Sequence, residues 1–103
     1  ITLSRMSNVQ LQAHIRRTAQ DSSRVFFLEH AQLRMLERGV NDLQVLECLQ
    51  QGLIQRPPKV DEHSGEVRAR MEHYGSARNL SVVVGLDEHD PDLLVVTVIT
   101  QAR

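Results

Sequence analysis

Between Phe27 and Val40 the chain reads FLEHAQLRMLERGV, the one stretch in which chemically capable side chains recur at a spacing the backbone can exploit. A helix turns by about 100° per residue, so His30, Arg34 and Arg38, at i, i+4 and i+8, share one stripe with Glu37 beside them. Leu33, Leu36 and Val40 lie to one side of it and Ala31 and Met35 to the other, which leaves the stripe as the expected uncovered face. Two kinds of chemistry suit it. Arginines make planar, bidentate contacts to phosphate or carboxylate, and an imidazole titrates near neutrality and can give or take a proton. The plainer meaning stands beside these: charged stripes usually face water and pair within the helix.

A second set of candidates lies where the period changes to two. From Glu66 to Tyr74, Val67, Ala69 and Met71 point one way, and Glu66, Arg68, Arg70, Glu72 and Tyr74 the other. Metal-free cleavage of RNA needs a base for the 2′-hydroxyl, an acid for the leaving oxygen, and cations around the crowded phosphate. His30 suits either proton role, Glu37 or Glu72 the other, and Tyr74 shares the strand face. The candidate catalytic residues are thus His30, Glu37 and Tyr74, and the candidate phosphate ligands are Arg34, Arg38, Arg68 and Arg70, provided that the strand face meets the helix edge. Against this stands simple pairing of Arg68 and Arg70 with acidic neighbours on an exposed sheet face.

Other chemistries find little to work with. The five histidines, His14, His30, His63, His73 and His89, show no HxH or HExxH spacing, and the acidic loop from Asp87 to Asp92 lacks the EF-hand glycine, so no metal is expected. No Gly-x-Ser-x-Gly elbow and no phosphate-binding glycine loop occurs, and no cofactor is expected. Cys48 sits among Val45, Leu46 and Leu49 with no cation adjacent in sequence, the setting of a small buried hydrophobe rather than a nucleophile.

The motif His-Ala-x-x-Arg-x-x-x-Arg-Gly-Val, as it stands from His30 to Val40, resembles the opening of a bacterial family known as domain of unknown function 4258. The resemblance continues through a helix, a Gly-and-Arg-bearing strand and a final pair of Val-rich strands, from about Val25 to Thr100. That family is similar in layout to the small toxins of the barnase, EndoU, colicin and RelE group, which are metal-independent ribonucleases. The resemblance therefore implies RNA as a substrate and an antitoxin as a protein partner. One departure bears on turnover: family members often carry a histidine entering the first Val-rich strand, and this chain has Ser81 there. Loss of that proton carrier would leave binding without cleavage, so a noncatalytic module that grips a protein or an anionic ligand through the Arg edge, or through an open strand edge, is the competing expectation.

Positioning these residues falls to three helices and a sheet. Ser7 opens a Ser-x-x-Gln capping box with Gln10, and Leu11, Ile15 and Ala19 give the first helix a narrow apolar stripe, with His14, Arg16 and Arg17 on its solvated face and Asp21-Ser22-Ser23 at its end. Val25 to Leu28 reads equally as a short strand or a buried lead-in. Gly39 closes the second helix and Asn41 caps the third, which predicts an angled helical hairpin ending at Gly52. Beyond it, Pro57-Pro58 confines Leu53 to Val60 to an edge. His63 to Glu66 and Gly75 to Asn79 read as turns, and Leu80–Leu86 and Leu93–Ile99 as strands apolar on both faces. The expected architecture is α+β: a single domain over residues 1–103, with an N-terminal helix (1–22), a helical hairpin (25–52) and a three- to four-stranded antiparallel sheet (53–103) covered by helices on one face.

Composition narrows the classes further. Phe26, Phe27 and Tyr74 are the only Phe, Tyr or Trp residues, so base stacking on aromatic platforms is not the expected binding mode. A formal charge of −1 is not the global footprint of a nucleic-acid binder, and any anion site must be local. A lone cysteine and the lack of an apolar run long enough for a membrane or a leader fit a soluble, cytoplasmic protein. The chain opens at Ile1 rather than Met, as a trimmed chain or a piece of a longer protein would. The segment Leu93–Ile99 is the expected terminal strand, with Leu93, Val95 and Ile99 on one side and Leu94, Val96 and Val98 on the other. Unguarded by charge or proline, such an edge needs cover, which a central place in the strand order, a homodimer through it, or a partner segment adding a strand would each supply.

Overall fold

The structure, a computed structural model, describes residues 2–75 and 79–101. Three helices, α1 (Asn8–Ala19), α2 (Glu29–Arg38) and α3 (Asp42–Gln51), pack on a sheet built from β1 (Val25–Phe27), β2 (Leu53–Ile54), β3 (Lys59–Val60), β4 (Val67–Tyr74), β5 (Asn79–Asp87) and β6 (Asp90–Gln101). The class is α+β. The sheet runs β1-β6-β5-β4-β2 with β3 also on β4, and every pairing is antiparallel except that of β1 with β6. It therefore exceeds the expected three or four strands and is mixed rather than antiparallel. The extra strands are short ones: Val25–Phe27 joins β6 in parallel, and the prolines split the segment after Gly52 into two pieces that both pair with β4.

The helix ends follow local sequence. Ser7 Oγ accepts from Gln10 N while Gln10 Oε1 accepts from Ser7 N, and Asn41 and Gln44 repeat the exchange at α3. Gly39 ends α2 at φ 65°, a left-handed conformation that glycine reaches without strain. Beyond this turn the helices diverge. α2 packs chiefly on β6, whereas α3 packs on α1, β4 and β5. Side chains tie α1 and α3 end to end: Arg16 Nε and Nη2 donate to the Gly52 carbonyl at 2.9 and 2.7 Å, and Gln50 Nε2 donates to the Ala19 carbonyl at 2.9 Å. Arg16 is thus an anchor of the fold and not part of a solvated basic face.

One sheet face carries Val67, Ala69, Met71, Val82, Val84, Leu93, Val95 and Val98, all buried in one cluster with Leu11, Ile15, Ala31, Met35, Val45 and Leu49 of the helices. Alternation puts Arg68, Arg70, Glu72 and Tyr74 on the other face. In β6 the alternation is broken by a bulge: Val83 pairs with Thr97 but Val84 with Val95, so Val96 is supernumerary. The parity shift moves Val98 to the core side with Leu93 and Val95, and Ile99 to the opposite side, which corrects the faces expected from strict alternation. β6 is also not the terminal strand, since β1 lies outside it over Leu93–Val95. The turn at His63–Glu66 forms the β3–β4 hairpin, with Gly65 at φ 74°. Of the turn expected at Gly75–Asn79, residues 76–78 lie outside the described residues.

Candidate functional site

Ala31 and Met35 aim α2 at the core. At about 100° per residue the direction opposite them falls on Leu33, with Leu36 on one flank and Glu37 and His30 on the other. Leu33 is 51% exposed and Leu36 81%, and only Val40 of the three flanking apolar residues is buried. The stripe of His30, Arg34 and Arg38 is therefore not the sole uncovered face of the helix. α2 packs chiefly on β6, and its apolar flank at Leu33 and Leu36 stays open to solvent. Gln32, Leu33 and Leu36, with Glu29 and His30, line a shallow depression there.

The stripe itself runs from solvent towards the core. His30 is exposed, and no hydrogen bond or ion pair engages its imidazole among the described residues. Arg34 Nη1 donates to both Glu37 carboxylate oxygens, at 3.1 and 2.8 Å. Arg38 is half-buried at the margin of the core. His30, Arg34 and Glu37 thus remain together on the solvent side of one helix, while Glu37 is engaged by Arg34.

On β4 the arginines are held by carboxylates. Arg68 lies 3.3 Å from Asp61 and 3.4 Å from Glu66; Arg70 lies 3.6 Å from Glu72 and donates from Nη2 to Ser81 Oγ at 3.2 Å. Glu72 and Ser81 are buried although no helix among the described residues packs on their sheet face. Tyr74 is more than half exposed at the end of the strand, and no hydrogen bond engages its hydroxyl among the described residues. These residues do not meet the α2 stripe. β4 is two strands away from β6, about 10 Å across the sheet, and its charged side chains project from the face opposite the helices. The composite clamp of Arg34 and Arg38 with Arg68 and Arg70 does not form.

The sequence pattern of the family described as Domain of unknown function (DUF4258) matches residues 27–100, most of the chain. The chain belongs to this family. Among curated proteins and among solved structures no match is found.

The DUF4258 match begins just before α2 and spans every strand from β2 onward, so both candidate clusters lie within the family's own fold. Elsewhere in the chain, three further titratable side chains sit in defined settings. Cys48 is fully buried, with Sγ 3.3 Å from the Met71 carbonyl, and burial pushes its thiol up to about 12. His14 is held below the ordinary imidazole range by partial burial and then by the Arg17 charge. His73 Nε2 lies 2.9 Å from Glu47 Oε1 and ties β4 to α3. No group of three or more His, Cys, Asp or Glu among the described residues is placed to hold a metal ion, and no helix is long and apolar enough to cross a membrane. Sequence reading missed the exposed Leu33–Leu36 ridge, because the period of α2 fits burial on either flank and only the neighbouring elements decide which flank is covered.

Proposed function

We propose that this DUF4258 domain is a noncatalytic interaction module whose working surface is the outer face of α2, engaging the apolar face of a protein partner. The observation that carries this is the contrast between the candidate arginines and the α2 ridge: Arg34, Arg68 and Arg70 are each matched to a carboxylate, whereas Leu33 and Leu36 stand bare. Covering such a ridge removes apolar area from water at roughly 25 cal/mol per Å². His30 and the Arg34–Glu37 pair would form the polar rim of that contact. The test is binding of a partner isolated on the immobilised chain and then purified. Leu36→Glu should abolish its binding while Arg68→Ala leaves it intact, and equal binding by wild type and Leu36→Glu would remove α2 from the interface.

A second reading keeps specific support: His30 and Arg34 stay one helical turn apart on the solvent side of α2, within the motif that carries the family resemblance. On this reading the domain is a toxin-like, metal-independent endoribonuclease held in check by an antitoxin, with His30 as proton carrier, Arg34 and Arg38 as phosphate ligands, and Glu37 released from Arg34 by the substrate. Surface ion pairs cost only about 0–1 kcal/mol to exchange. Arg68, Arg70 and Tyr74 would then contact RNA only as a separate patch on the open sheet face. Cleavage of RNA that persists in EDTA, leaves a 2′,3′-cyclic phosphate and disappears in His30→Ala would establish this reading. Intact RNA, or equal cleavage by His30→Ala, would defeat it.

A further inference from the structure

β1 accompanies β6 only from Leu93 to Val95, where Leu28 N donates the last bond to the Val95 carbonyl. The chain then turns into α2. Past the Val96 bulge, β6 continues to Gln101 with β5 on one side and, among the described residues, no strand on the other. This free edge, Thr97-Val98-Ile99-Thr100, is β-branched throughout and has no charge, proline or glycine. Its backbone groups form a template for another strand.

The opposite margin of the sheet differs in each of these respects. β2 and β3 are two residues long and are separated by Pro57-Pro58, with Arg56 between them and Lys59 opening β3. A head-to-tail contact, in which the β6 edge of one chain meets the β2–β3 edge of the next, would place proline and cations against the apolar strand and is disfavoured. The β6 edge is complementary to itself. Antiparallel pairing about a two-fold axis at Val98 sets Val98 against its own copy and Thr97 against Ile99, residues that share a face, opposes no like charges, and extends the Val98 face and the Ile99 face from one copy into the next.

We infer that this edge pairs with the same edge of a second copy, joining two sheets into one across a closed two-fold interface. α2 is the helix that packs most closely on β6, so this pairing brings the two α2 helices near the junction. The inference rests on the interaction reading above and names a second copy as the partner.

Sedimentation equilibrium from low to high micromolar concentration reads the association, with amide hydrogen exchange reporting on Thr97–Thr100. The expected result is a concentration-dependent dimer in which amides of this stretch gain protection as the dimer forms. Thr97→Lys puts a charge on each edge strand, on one face and a diagonal step apart across the two-fold, and should weaken the dimer roughly tenfold or more. Thr97→Val preserves β-propensity and should retain it, and a circular dichroism melt confirms that each variant is folded. A monomer at every concentration would overturn the pairing while leaving a different protein partner for α2 intact. A dimer indifferent to Thr97→Lys but lost in Leu36→Glu would also overturn the strand pairing, since association would then run through the helices alone.

Discussion

Arg16 of α1 reaches the carbonyl of Gly52 with two of its nitrogens, at 2.9 and 2.7 Å, and closes α3 from 36 residues away. A helix C-terminus leaves carbonyls without intrahelical partners, and a guanidinium fork satisfies them better than water can. Arg16→Met should therefore lower stability by about 1–3 kcal/mol. Arg16→Lys, with a single ammonium point, should restore less than half of the loss. The urea midpoint at neutral pH measures both, and a wild-type midpoint for Arg16→Met would show that the clamp contributes nothing.

Met35 and Leu36 are adjacent in sequence and opposite in fate. Met35→Ala empties a buried site and should cost about 2–4 kcal/mol. Leu36→Ala, at a position 81% exposed, should stay within about 0.5 kcal/mol. Thermal denaturation of the two variants compares them directly, at a protein concentration low enough to keep each monomeric.

The two β4 arginines should separate in the same way. Arg68 is nearly half exposed between Asp61 and Glu66, and Arg68→Ala should change stability by no more than about 0.5 kcal/mol. Arg70 neutralises a carboxylate that is 4% exposed. Arg70→Met leaves that charge buried without its ion pair and should cost about 1–3 kcal/mol. Chemical denaturation in low and high salt provides the check, since the Arg70 effect should survive salt better.

Cys48 makes a pH prediction with a definite sign. Burial raises its thiol from 9.0 to about 12 in the folded chain. Below pH 9 both states keep the proton and the thiol does not bias folding. Between 9 and about 12 the unfolded chain ionises and the folded one does not, so stability should fall by up to about 1.4 kcal/mol per pH unit. Cys48→Ala should flatten that slope while lowering stability at neutral pH. In the native protein at pH 8 the thiol should resist iodoacetamide until denaturant is added, and rapid native alkylation would contradict its burial.

How much of this was legible in the sequence depends on the range of the forces involved. Ser7 with Gln10, Gly39, Asn41, Pro57-Pro58 and the His63–Glu66 turn were readable because each acts on its own backbone within a few residues. The parallel strand Val25–Phe27 was not, since three apolar residues without period gain strand character only from β6, which lies near the other end of the chain. Arg16 looked like a solvated cation because its acceptors come from α3. For the candidate site, the shared stripe of His30, Arg34 and Glu37 was legible from helical spacing. Its separation from Arg68 and Arg70 was not, because strand order and sheet face are set by pairings that no local pattern encodes.

Val96 occupies a place in β6 that no residue of β5 opposes. Removing it would leave Leu93, Val95 and Val98 on the helix side and Leu94, Thr97 and Ile99 on the other, each against its present neighbour in β5. β4, whose pairing with β5 is unbroken from Val67 to Tyr74, has no such slack, and losing one residue there would turn over every side chain beyond it. Loss of a single residue should accordingly be tolerated at the bulge of β6 and purged from β4, so the last strand can shorten by one residue where the arginine-bearing strand cannot.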